Sequence, residues 1–102
     1  MYIVIFRAKA GTLDAEYGKT AARLRDLALE SFGCLDFIAA MDGDQEIALS
    51  YWRDEESIKK WKAHAEHMLA QELGRAKWYT SYTVQVAEIK REYQFNRSRG
   101  AL

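Results

Sequence analysis

Three runs of this chain read as strands, and each is apolar on both of its sides. Residues 2–10 put Tyr2, Val4, Phe6 and Ala8 on one side and Ile3 and Ile5 on the other. Residues 35–41 set Leu35, Phe37 and Met41 against Ile38, and residues 46–52 set Ile47, Leu49 and Tyr51 against Ala48 and Trp52. A sheet with one wet face alternates apolar with polar residues, so these strands need cover on both sides. At about 25 cal/mol per Å² of apolar surface, leaving one side in water would forfeit many kcal/mol and expose an unusually large patch.

The segments between the strands supply one of the two covers. Leu13, Tyr17, Ala21, Leu24 and Ala28 recur at steps of three or four, which predicts a first helix over residues 13–32. Asp14 and Glu16 fall in its first turn, and Gly33 stops it. Asp42-Gly43-Asp44-Gln45 between two apolar runs predicts a hairpin. Asp54 is the expected N-cap of a second helix, with Glu55 and Glu56 in its first turn, Ile58, Trp61, Ala65, Met68 and Leu69 on its buried side, and Gly74 at its end. A long last strand is expected over residues 79–95. Its apolar side changes near Ala87, as at a bulge or where a strand reaches beyond its own sheet. Residues 1–95 then form one domain, and 96–102 a basic tail.

The order β-α-β-β-α-β defines an α+β chain of ferredoxin-like arrangement, a four-stranded antiparallel sheet with both helices on one face. With 102 residues there is no material for a third layer. The economical second cover is the same face of another copy about a two-fold axis, so an obligate homodimer is expected.

Composition narrows the partners. Fifteen Lys+Arg balance fifteen Asp+Glu, so no global field draws the chain to nucleic acid or to an anionic membrane. Cys34 is the only cysteine, which suits a reducing compartment and a role as a small buried hydrophobe. The first apolar run is too short for a signal peptide and has no basic region before it, so a cytoplasmic protein is expected.

Chemistry concentrates between Ser50 and Tyr82, which hold all three tryptophans (Trp52, Trp61, Trp78) and both histidines (His64, His67). Aromatic bulk with a few polar groups is the material of a small-molecule pocket. The tryptophans serve equally as core, and the histidines as a solvated helix face. On a continuous helix His67 lies nearly opposite the apolar stripe and His64 on its flank. Gln71 and Arg75 are candidates for orienting a polar substrate atom, and the phenols of Tyr79 and Tyr82 for bonding a quinone or phenol oxygen. Two histidines at i, i+3 do not make a metal site, and no catalytic serine triad, phosphate loop or carboxylate pair is present.

The block S50-Y-W-R-D-E-E-S-I-K-K-W61, followed by H64-A-E-H-M-L-A-Q71, G74-R75 and W78-Y-T-S-Y82, resembles the antibiotic biosynthesis monooxygenase family of dimeric α+β barrels. The resemblance covers residues 1–95 and implies a cavity between helices and sheet in each subunit. It implies a cofactor-independent monooxygenase acting on a small aromatic substrate of quinol, anthrone or polyketide type. Catalysis would fall to His64 or His67, and substrate binding to Trp61, Gln71, Arg75, Trp78, Tyr79 and Tyr82, with no metal. A haem-binding or haem-degrading branch is the first alternative. Trp61 matches that branch's tryptophan and His64 or His67 could be its axial ligand, but its first-strand asparagine has no counterpart, since Asn96 is the only asparagine here. A dimeric small-molecule binding module without catalysis is the second.

The two-sided strands generate a direct test. Sedimentation at micromolar concentration should report about twice the 11.8 kDa chain mass, and a stable, soluble monomer would refute the second cover.

Overall fold

The computed structural model describes residues 1–71 and 77–97, folded as β1 (Tyr2–Ala10), α1 (Ala15–Ser31), β2 (Asp36–Asp42), β3 (Gln45–Trp52), α2 (Glu55–Gln71) and β4 (Tyr79–Glu88). The expected β-α-β-β-α-β order holds. One antiparallel sheet runs in the order β2-β3-β1-β4. The expectations for Gly74 and Arg75 and for the side chains of Met68, Leu69 and Gln71 lie outside the described residues, as do positions 98–102 of the tail.

Two boundaries differ from the sequence reading. Asp14 stands outside the first helix as its N-cap, its carboxylate accepting from the Tyr17 N–H at 3.0 Å. An Asp one turn earlier satisfies an amide that would otherwise be orphaned, which is worth more than a place within the turn. The last strand ends at Glu88, not at position 95, because its partner runs out. Tyr2 pairs with Glu88, the Ile89 N–H takes the Met1 carbonyl at 2.9 Å, and no strand continues beyond to receive residues 90–97. Tyr93 and Phe95 are therefore exposed. The irregularity expected near Ala87 lies at the other end of β4, where the β1 register slips between Lys9 and Ala10.

Elsewhere local chemistry acts as expected. Gly43 sits at φ 63° in the β2–β3 turn, a left-handed conformation that the hairpin requires and a glycine adopts without a Cβ clash. Asp54 caps α2 by accepting from the Ser57 N–H at 2.8 Å.

The register sorts every strand residue onto a face. Val4, Ser50, Phe37 and Val86 are in line across the sheet, as are Phe6, Ala48, Ala39 and Val84. This face meets the helices: Val4 and Trp52 form the core with Ala28, Cys34, Ile58 and Trp61, joined by Leu24, Leu27 and Phe32. The opposite face carries Ile3, Ile5, Ile47, Leu49 and Tyr51, all half-buried, with Ile38 half-exposed. Nothing in the described chain lies over it.

Trp52 is fully buried, and its indole N–H donates to the buried Ser50 hydroxyl at 2.8 Å. Two residues on one strand thus satisfy each other's polar atoms inside the core. Ser50→Ala leaves that N–H without its acceptor and should lower the unfolding free energy by about 1–3 kcal/mol. The check is a lower urea midpoint at unchanged slope, and an unmoved midpoint would show that the bond contributes nothing.

Candidate functional site

The facing positions of helices and sheet are small where the two layers approach: Gly18, Ala21 and Ala22 on α1, Ala65 on α2, Ala39 and Ala48 on the sheet. Side chains of this size do not fill the gap between layers, and a cavity of about 390 Å³ remains. That volume lies within the range of roughly 300–1,000 Å³ usual for small-molecule sites. Trp61, Ile58 and Phe37 wall one end, and Phe6, Tyr17, Trp78, Tyr79 and Tyr82 the other. Arg25 of α1, with Lys62 and Glu66 of α2, completes the lining; Lys62 and Glu66 are paired at 2.6 Å.

The aromatic end is built from rings that fix one another. Phe6 stacks on Tyr82 with centroids 5.6 Å apart and meets the edge of Tyr79 at 5.5 Å, while Tyr17 stands edge-on to Trp78 at 5.5 Å and to Tyr79 at 6.1 Å. Such edge and offset contacts are the favoured geometries of aromatic pairs. Asp14 anchors the cluster: the carboxylate oxygen that caps α1 also accepts from the Trp78 indole at 3.1 Å, and its other oxygen meets the Lys77 ammonium at 2.7 Å. The hydrogen bond from Lys77 holds the Asp14 carboxyl below its ordinary range. Behind Trp78 the backbone comes close to Gly11, whose N–H donates to the Trp78 carbonyl at 2.6 Å. A Cβ at Gly11 would stand 2.9 Å from the Lys77 carbonyl, so a larger residue would push this wall away.

One acidic group opens into this end. Glu46 starts the inner face of β3, and its Oε2 accepts from the Tyr79 hydroxyl at 3.3 Å. The bond spans two strands that are not neighbours, crossing over Ala8 of β1, which pairs with Glu46 on one side and Tyr82 on the other. A small residue at position 8 is what lets the two side chains meet. Burial raises the Glu46 carboxyl above its ordinary range, and the Tyr79 hydrogen bond opposes that rise. Burial, followed by the charge of Glu46, pushes the Tyr79 phenol well up, so Tyr79 is a donor throughout the physiological range.

Of the residues singled out from sequence, Trp61, Trp78, Tyr79 and Tyr82 come together on the cavity wall. Trp52 and Trp78 are fully enclosed and Trp61 nearly so, which makes Trp61 and Trp78 core and wall at once. Gln71 and Arg75 fall outside the described side chains. His67 is exposed; His64 is half-buried with its ring 5.3 Å from Phe32, and its buried Nε2 has no hydrogen-bond partner among the described residues. Neither imidazole is among the described lining, so the cavity wall offers a haem iron no axial histidine. Among the described residues no three His, Cys, Asp or Glu side chains gather as a metal site, and no helix is long and apolar enough to cross a membrane. Cys34 is buried, as expected, and burial raises its thiol.

Glu46, Tyr17 and Phe6 were not among the sequence candidates. The signal for Glu46 was available, since period-2 alternation puts it on the face of Ala48, Ser50 and Trp52. Alternation alone thus puts an acid among the inward-facing residues of β3.

No family model matches the chain. YqjZ of Bacillus subtilis, an uncharacterized protein, is 38% identical over 98 residues, covering 95% of this chain and 86% of YqjZ. The jasmonate monooxygenase ABM of Pyricularia oryzae is 36% identical over 50 residues, 49% of this chain and 23% of that protein. Among solved structures, a point mutant of SnoaB, a cofactor-independent oxygenase from Streptomyces nogalater, superposes with a TM-score of 0.71 at 13% identity, over 89% of this chain and 94% of SnoaB. A structure described as an antibiotic biosynthesis monooxygenase gives 0.67 at 15% identity, over 89% of this chain and all of the other. A MhuD mutant with two manganese protoporphyrins bound per active site gives 0.54 at 16%, over 91% and 99%. The chain thus belongs to the same family as YqjZ, and its fold is that of the solved antibiotic biosynthesis monooxygenase structures.

Proposed function

We propose that this protein is a cofactor-independent monooxygenase for a small aromatic substrate of quinol, anthrone or polyketide type, working as a homodimer. The observation that carries this reading is the aromatic-walled cavity of about 390 Å³ between helices and sheet. SnoaB, described as a cofactor-independent oxygenase, supports it through the shared fold. A second copy would cover the face that bears Ile3, Ile5, Ile38, Ile47, Leu49 and Tyr51.

Such a reaction asks the protein for few groups. For an anthrone-type methylene, CH₂ plus O₂ gives C=O plus H₂O: the carbon loses four electrons, one oxygen atom enters the product, and the other leaves as water with the two hydrogens. The substrate supplies every electron, so the chain needs to hold an electron-rich ring, exclude water and handle a proton. Phe6, Tyr17, Trp61 and Tyr82 provide flat apolar walls, and Tyr79 and Glu46 the polar end. The haem reading draws on Trp61 and on the likeness to MhuD, but the described wall has no imidazole to ligate iron.

Oxygen uptake with anthrone or a naphthoquinol should exceed the uncatalysed rate without added metal, flavin or nicotinamide, and a chelator should leave it unchanged. His64→Ala and His67→Ala should retain the parent rate, because neither ring lines the cavity. Background uptake across a panel of such substrates would sink the oxygenase reading in favour of a binding module. A Soret band that appears with haemin and bleaches with a reductant would favour haem degradation.

A further inference from the structure

Glu46 is half-buried, and a carboxylate drawn even partly out of water is ordinarily paired with a cation or met by several donors. Glu46 has neither. Among the described residues it makes no ion pair, and its one side-chain hydrogen bond comes from Tyr79 to Oε2. Oε1 has no hydrogen-bond partner among them and is not sealed away from solvent, so it is open to whatever enters the cavity. The side chain sits at the start of its strand, where a turn outward would reach water, yet it lines the cavity. An acid with one oxygen held by a phenol and the other open to an aromatic hollow is a functional arrangement more than a structural one.

We propose that Glu46 is the proton acceptor of this cavity: Oε1 receives the hydroxyl of a neutral hydroxyaromatic molecule, Tyr79 positions the carboxylate through Oε2, and the carboxylate charge turns away anionic aromatics of the same size. The inference rests on the oxygenase reading for its reaction and on the geometry alone for its binding selectivity. In turnover the substrate O–H or activated C–H bond breaks, its electron pair stays on the ring system, and the proton passes to Oε1. That proton later leaves in the water formed from the second oxygen atom, so the carboxylate is regenerated. Burial strengthens this base by raising its carboxyl, while the Tyr79 bond keeps the rise in check. The titratable and charged groups that line the same cavity are Tyr17 and Arg25 from α1, Lys62 and Glu66 from α2, and Tyr79 and Tyr82 from β4, with Lys9 and Asp44 paired at the strand ends.

The test uses the full chain, with 1-naphthol and 1-naphthoate as calorimetric probes and circular dichroism to confirm folding of each variant. Naphthol should bind about tenfold or more tightly than naphthoate, the scale of one hydrogen bond to a charged group. Glu46→Gln should abolish that preference. Tyr79→Phe should keep it while moving its onset to higher pH, because the bond that lowers the Glu46 carboxyl is gone, a shift that a merely structural tyrosine would not produce. Equal affinities in the parent, a preference unchanged in Glu46→Gln, or no naphthol binding at millimolar concentration would each overturn the proposal. Oxygen uptake separates the two readings. Anthrone oxidised by Glu46→Gln at the parent rate refutes Glu46 as proton acceptor and leaves the oxygenase standing. A naphthol preference that depends on Glu46, with no oxidation of any substrate, supports the acceptor site and refutes the oxygenase.

Discussion

Two helices of seventeen residues shield one face of a four-stranded sheet, and both faces of this sheet are apolar. Most other features follow from that mismatch. The covered face must hold the core, so the large rings Trp52 and Trp61 are placed there. The same face also bears the cavity, which lies between the helices and the sheet and opens to solvent. Core and site therefore share walls: Val4, Ile58 and Trp61 belong to the packed cluster and line the cavity.

Sharing walls requires that the site be held rigid without being filled. Asp14 does much of this at one end. A single carboxylate ends a helix, bonds the Trp78 indole and takes the Lys77 ammonium, tying the first turn of α1 to the start of β4 across sixty-four residues of sequence. At the other end the Trp52–Ser50 bond removes the polar cost of a buried indole from within one strand. The hollow between them is bounded by backbone and fixed rings.

The fold was legible in the sequence because its signals are local. Alternation gave the strands, steps of three and four gave the helices, and Asp42-Gly43 and Asp54 marked a turn and a cap. What escaped depends on register. The end of β4 is set by where β1 begins, which no window around residues 88–95 contains. The Glu46–Tyr79 pair joins residues thirty-three apart on non-adjacent strands and exists because Ala8 lies between them. Trp61, Trp78, Tyr79 and Tyr82 of the wall are visible as a local concentration of aromatic bulk, whereas Tyr17 reads only as one member of a helix stripe. The acid was passed over because, at a strand start, Glu reads as a solvated end.

The small residues that hollow the interior also separate two kinds of inheritance. Gly18, Ala21, Ala22, Ala39, Ala48 and Ala65 shape the void, and none of them carries a titratable group. Adding one or two methylenes at any of them would trim the room in the cavity while leaving the rings and the acid in place. The range of molecules such a cavity admits can therefore change by single substitutions that leave its polar groups untouched, so relatives with the same polar groups need not accept the same molecules.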